Sequence, residues 1–179
     1  EALVAFDTGP GNALIDDFVR ARMGAEQDDG GALGLAGQID HALLSRWMEQ
    51  PYFARHEGSL DRNDFSALLD DLKNHSTRDG CATLAALTVA SIARARFGGT
   101  PQRWLVSGGG RHNRALMAGL RQALNLPVEA VEVMGWDGDM LEAQAFAYLA
   151  VRVRAGLPTS YPGTTGARVP VCGGRLSLP

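Results

Sequence analysis

Cysteine is nearly absent from this 179-residue chain, which holds only Cys81 and Cys172, far apart. That spacing excludes a disulfide framework and a zinc-like ligand set, and both read as small buried hydrophobes. His41, His56, His75 and His112 form no ligand pattern either. No apolar run approaches the roughly 18–20 residues that a helix needs to cross a bilayer. Charge of one sign is never massed: 17 Lys and Arg stand against 20 Asp and Glu, a formal net charge of −3, and the arginines are scattered singly. Neither nucleic acid nor an anionic membrane finds an electrostatic face here. Internal repeats and low-complexity stretches are lacking as well. An initiating methionine is lacking too: Glu1 leads at once into an apolar run. That predicts a piece of a longer protein, cut just before a strand. What remains, 45% hydrophobic and 21% charged, is the composition of a globular cytoplasmic domain with length for one good core.

Residues 2–6 (ALVAF) predict a buried strand, closed by the turn residues of "DTGPGN". Asn12 is placed to cap a helix bearing Leu14, Ile15, Phe18 and Val19 on one face. The Gly-rich, acidic stretch 24–38 predicts a loop. Asp40 can cap a helix with Leu43, Leu44, Trp47 and Met48 inward, and 51–63 reads as a long exposed connection. Phe65, Leu68, Leu69 and Leu72 have helical spacing. Ser76 and Asp79 have the spacing of a capping box and open the longest helix, about 78–97. The strand "RWLVS" (103–107), the turn "GGG" (108–110), the helix 113–124 and a strand near 128–133 make a β-turn-α-β unit, a mark of α/β architecture. A long amphipathic helix spans 139–156, ending at Gly156 with Pro158 beyond. The tail reads as loop with one or two short strands.

Two features carry chemistry. A glycine turn feeding a helix N-terminus offers backbone N–H groups to an anion and lets a flat ligand approach the main chain. "SGGGRHN" is such a turn, although no Gly-Lys-Ser/Thr follows and Asn113 stands at the third glycine position of the dinucleotide fingerprint. A tight strand–helix turn with no ligand remains the alternative. The second feature is Asp7, a carboxylate at the end of a strand before another glycine loop. Asp-Thr-Gly is ordinary turn chemistry, yet two strand–glycine–helix units in one chain suggest two loops facing a phosphorylated ligand. Beside phosphates a carboxylate makes sense as a base or a metal-bound group. Asp7 accepting a hydroxyl or water proton, with glycine amides and Mg²⁺ holding a nucleotide, is the phosphoryl-transfer reading.

"AFDTGPGNALIDDFV", "SGGGRHNRALM", "GWDGDMLEAQAFAYLAVRVRAGLP" and "YPGTTGA" together resemble the C-terminal half of the anhydro-N-acetylmuramic acid kinases. These are cell-wall recycling enzymes of the actin-like/hexokinase/Hsp70 ATPase superfamily. The resemblance runs along essentially the whole chain. It implies an α/β lobe with a ribonuclease H-like mixed sheet flanked by helices, one C-terminal lobe (1–179) of a two-lobed kinase whose N-terminal lobe is absent. It implies ATP and Mg²⁺ as cofactors, an anhydro sugar substrate, and a homodimer. Asp7 would be the catalytic base that activates water to open the 1,6-anhydro bridge while O6 takes the γ-phosphoryl. Thr8, Gly9 and Gly11 would share its phosphate-facing loop. Gly108, Gly109, Gly110 and Asn113 resemble the adenosine-binding turn. Asp137, Asp139 and Glu142 stand in the block that approaches the sugar, and Asp139 and Glu142 are the substrate-binding candidates. As structural alternatives, Asp139 caps the helix that follows and Glu142 merely occupies its favourable first turn. "GSLDRNDF" resembles a further family segment, with Gly58 where a lysine usually stands. The family's first phosphate loop has no counterpart here, so the chain alone is expected to be inactive.

Two rival functions are weighed. A nicotinamide-dependent oxidoreductase built on 103–133 would need a ribose-binding carboxylate at the second strand, for which Glu132 is the candidate. A non-catalytic nucleotide- or sugar-sensing relative would bind without reacting. The first leaves the "DTGPGN" loop unexplained, and an intact upstream phosphate loop in the parent gene would argue against the second.

Overall fold

A computed structural model of the chain describes residues 3–54, 59, 61–96 and 99–177. Helix α6 (Thr77–Arg94) is its axis. The capping box forms as the spacing predicts: the Ser76 hydroxyl accepts from the Asp79 N–H at 3.1 Å and donates to the Asp79 carboxylate at 2.7 Å. Around α6 pack α1 (Ala13–Met23), α2 (Ala32–Ala36), α3 (His41–Met48) and α7 (Arg114–Leu124). Leu14, Phe18, Leu43, Trp47, Cys81, Leu84, Leu87 and Leu116 belong to one continuous core. Burial raises the Cys81 thiol to about 12, so it is inert packing. Cys172, by contrast, is exposed.

Strands β1 (Trp104–Val106) and β2 (Val128–Ala130) pair in parallel, Trp104 beside Val128 and Val106 beside Ala130, with α7 crossing between them. The β-turn-α-β unit is therefore present, and the class is α/β with a small parallel sheet flanked by helices. The strand expected over 128–133 stops at Ala130, where a 3-10 turn (Val131–Met134) takes over.

Five expectations are corrected. Leu3–Phe6 is not a strand: Ala5 donates its N–H to Gly163 O at 2.8 Å, Leu3 is 74% exposed, and among the described residues no ladder runs alongside. A strand exists only where a neighbour supplies its hydrogen bonds. For the same reason the sheet is a parallel pair rather than mixed among the described residues. The predicted loop 24–38 contains α2, because the Asp28 carboxylate accepts the Leu33 and Gly34 N–H groups at 2.8 and 2.9 Å and starts a helix inside a Gly-rich stretch. The span 51–72 breaks into short pieces, α4 (Pro51–Ala54), a 3-10 turn at Arg62–Phe65 and α5 (Leu68–Asp71), though Phe53, Phe65, Leu68 and Leu72 are buried. Gly58 lies outside the described residues. Finally α8 (Leu141–Arg154) has no buried residue, and Phe146, Tyr148 and Val151 are exposed. Beyond it, the tail forms α9 (Pro162–Thr165) and one antiparallel bridge, Ser160 to Val171.

Candidate active site

The loop that carries Asp7 lies on α6. Gly11 O accepts from the Thr88 hydroxyl at 2.8 Å, and a Cβ on Gly9 would run into the Ser91 side chain, so only glycine allows the loop to sit this close. Asp7 itself is exposed, and its carbonyl accepts from the Tyr52 hydroxyl at 2.9 Å. Burial, then the negative charges of Asp7 and Asp64, raise the Tyr52 phenol above its ordinary value, keeping it a proton donor. Thr8 is half-buried. It borders a cleft of about 340 Å³ that runs between residues 4–8 and β1 and is walled by Trp104, Val106 and Leu120. Asp7 borders a second opening of about 570 Å³, whose far wall is the tail segment Pro162–Gly166.

The second glycine turn follows β1. Gly108 has φ 66° and ψ −169°, a conformation reserved for glycine, and the turn runs through a 3-10 turn (Gly109–His112) to Asn113. Asn113 is 5% exposed and caps α7, its Oδ1 accepting from Ala115 N and Leu116 N at 3.0 and 3.2 Å. Its Nδ2 donates to Asn12 Oδ1 at 3.3 Å. The expectation that Asn12 caps α1 therefore gives way: it makes no side-chain cap bond and instead joins the two glycine loops. Gly109, too, lies near the Asn12 side chain. Loops separated by about a hundred positions in the chain thus share one edge of the molecule.

The block 137–142 meets the same turn. Gly108 N–H donates to Gly138 O at 3.1 Å. Asp137, not Asp139, turns the chain into α8, its Oδ1 accepting from Asp139 N and Met140 N at 3.0 and 3.2 Å. Asp139 is ion-paired to Arg111 at 2.7 Å and is held at about 2 by the guanidinium hydrogen bonds. Its carboxylate is engaged by the guanidinium and is still 67% exposed. Glu142 is exposed in the first turn of α8. The apolar positions beside it, Leu141, Ala145 and Leu149, cover no core, so its place there is not one forced by packing. Glu132 accepts from Arg111 Nε at 2.7 Å, which occupies the carboxylate that a nicotinamide ribose would need and lowers its pKa.

Sequence reasoning singled out neither Asn12 as a bridge nor Arg111 as a partner of two carboxylates. A buried arginine in a loop looks like any solvated one until its partners, 21 and 28 residues on, are folded beside it. The only local signal was its seat between a glycine turn and a helix cap.

The family model for anhydro-N-acetylmuramic acid kinase matches residues 1–177. The chain is 50% identical over 181 residues to the anhydro-N-acetylmuramic acid kinase of Ruegeria sp. (strain TM1040), a match covering 99% of this chain and 48% of that relative. Identity to the protein of that name from Acidiphilium cryptum (strain JF-5) is 51% over 179 residues, 99% of this chain and 50% of the relative. For the Rhodospirillum rubrum protein it is 53% over 174 residues, 96% and 46%. The chain spans about half the length of the curated relatives it matches. With two glycine loops meeting at one edge and a family match over nearly its whole length, the chain belongs to the anhydro-N-acetylmuramic acid kinase family.

Proposed function

We propose that this chain is one lobe of an actin-like ATPase fold, and that the whole protein is an ATP-dependent kinase acting on anhydro-N-acetylmuramic acid in cytoplasmic peptidoglycan recycling. In this reading water adds its oxygen to C1 of the sugar as Asp7 accepts the water proton. The C1–O6 bond breaks, O6 bonds to the γ-phosphorus, and ADP leaves. Thr8, Gly9 and Gly11 face the phosphates, Gly108, Gly109, Gly110 and Asn113 hold the adenosine, and Glu142 approaches the sugar. Mg²⁺ prefers hard oxygen donors and keeps much of its coordination for phosphates and water. Among the described residues no cluster of carboxylate and histidine ligands would hold it unaided, so the nucleotide's phosphates and water would supply most of its ligands. When bound, the ion offsets charge on the phosphates. The other half of the protein and a second copy of it complete the set of partners.

The observation that carries this reading is the meeting of the two glycine loops through Asn12 and Asn113 at 3.3 Å. A carboxylate loop beside an anion-accepting turn has little use in a fold that only binds sugar. The test is Asp7→Asn in the whole protein, followed by ADP release with the anhydro sugar. Loss of a positioned base costs about 10²–10⁴-fold in turnover, with ATP affinity kept. Unchanged turnover would remove Asp7 from the mechanism. A wild type that binds both ligands and releases no ADP would be a sensing relative instead.

A further inference from the structure

Arg111 is enclosed to an extent unusual for a charge, its side chain only 4% exposed. Every arm of the guanidinium is used. Nε donates to Glu132 Oε1 at 2.7 Å, Nη1 to Asp139 Oδ1 at 2.7 Å, and Nη2 meets Asp139 Oδ2 at 2.7 Å. Nη1 also donates to Gly108 O at 2.9 Å. One side chain therefore ties three segments: the glycine turn after β1, the 3-10 turn after β2, and the loop that enters α8. The backbone adds a return tie, Gly108 N–H to Gly138 O at 3.1 Å. Gly138 is buried with the guanidinium standing where its Cβ would be, so the loop is seated directly on Arg111.

Stability is a poor account of this arrangement. Desolvating a guanidinium offsets much of what its ion pairs return, and both partner carboxylates remain largely in solvent, at 47% and 67% exposure. Geometry is a better one. A planar fork of five donors fixes direction as well as distance, which lysine cannot do. What it fixes here is Gly108, a residue with more backbone freedom to lose than any other type.

We propose that Arg111 is a positioning residue: it locks the Gly108–Gly110 turn to the 137–139 loop, so that the nucleotide-binding turn and the helix bearing Glu142 keep one register. The inference rests on the kinase reading for what those two parts hold. It gives Asp139 a different task from sugar contact, as the anchor of Arg111.

The test uses the whole protein and three variants, Arg111→Met, Arg111→Lys and Asp139→Asn. Affinity for a non-hydrolysable ATP analogue with Mg²⁺, KM for each substrate, kcat and the thermal midpoint are measured for each. Arg111→Met is expected to weaken analogue affinity about tenfold or more, as small displacements of a binding turn do. Arg111→Lys keeps the charge without the fork and recovers little of that loss. Asp139→Asn, altering a mostly exposed group, leaves the fold intact and weakens analogue affinity roughly threefold to fivefold, the scale of one exposed ion pair. The sugar KM rises by a smaller factor than the analogue affinity falls, through the displaced Glu142 helix. A purely structural role would lower the thermal midpoint without separating the two affinities, and that result overturns the inference. So does a raised sugar KM with unchanged analogue affinity in Asp139→Asn, which decides the matter even if Arg111→Met does not fold. A wild type that binds the analogue but leaves the anhydro sugar untouched sinks only the kinase reading, since analogue affinities still judge Arg111.

Discussion

A carboxylate that accepts bonds from a cation or from N–H groups gives up its proton easily and takes it back only in acid. Among the described residues five carboxylates are held below their ordinary range in this way. Asp139 and Glu132 are held down by Arg111, Asp40 by the Leu43 N–H and then His75, Asp71 by the Trp47 indole, and Asp79 by the Gln38 N–H. Each folded pKa lies below its unfolded value, so each contributes stability that is present above the ordinary carboxylate range and lost as pH falls through the folded pKa. The urea midpoint of the chain should therefore be level from neutral pH to about pH 5 and fall below about pH 4. Asp139, at about 2 against an ordinary 3.8, sets the acid end of that window. Asp139→Asn should flatten the slope between about pH 4 and pH 2 while leaving it unchanged near neutrality. An identical acid slope in the variant would mean that the Arg111 pair adds nothing to folding.

Helices α6 and α8 have similar lengths and opposite situations. In α6 Leu84 and Leu87 are at 1% and 0% exposure, whereas in α8 Phe146 and Val151 are at 66% and 65%. Leu87→Ala should cost about 2–5 kcal/mol in denaturant unfolding, by lost contact plus the cavity left behind. Phe146→Ala, in the same assay, should stay within about 0.5 kcal/mol. Near-equal costs would show that α8 packs in solution on something inside the chain. The contrast also explains what was legible beforehand. Caps are local, so Asp40 and Ser76 announced their helices within three residues, whereas Asn12, read the same way, makes no cap bond. The β1–α7–β2 unit was legible because each part carries its own period and the glycine turn punctuates it. A period shows that a face exists and not what covers it, which is why α8 looked amphipathic and proved exposed. The strand expected at 2–6 failed on the same point, since its partners are not written in its own residues. Around the site, the two loops could be read as loops, but the Asn12–Asn113 bond and the reach of Arg111 are products of tertiary folding.

At the scale of the molecule, packing and chemistry occupy different regions. Among the described residues the buried hydrophobic side chains run from Leu14 to Val131, and none follows. The site spans that divide: Asp7 precedes the core, the glycine turn sits on it, and Asp139 and Glu142 lie past its end. Asp7, Gly109 and Glu142 are all exposed. Phosphoryl transfer depends on positioning and on fixed dipoles acting away from bulk water, and an open edge supplies neither in full. Curated relatives are about twice as long, with the additional length available to close such a site. On the proposed kinase reading, the isolated chain, given ATP, Mg²⁺ and the anhydro sugar, is therefore expected to release ADP at less than about a thousandth of the whole protein's rate. Its unfolding should remain cooperative, because one continuous core is packed around α6. The two measurements together are decisive. A cooperative fold without turnover would assign the deficit to the open site. A non-cooperative chain would assign it to folding. ADP release within about tenfold of the whole protein would show that this half alone positions both substrates, and the proposed two-lobed clamp would have to be abandoned.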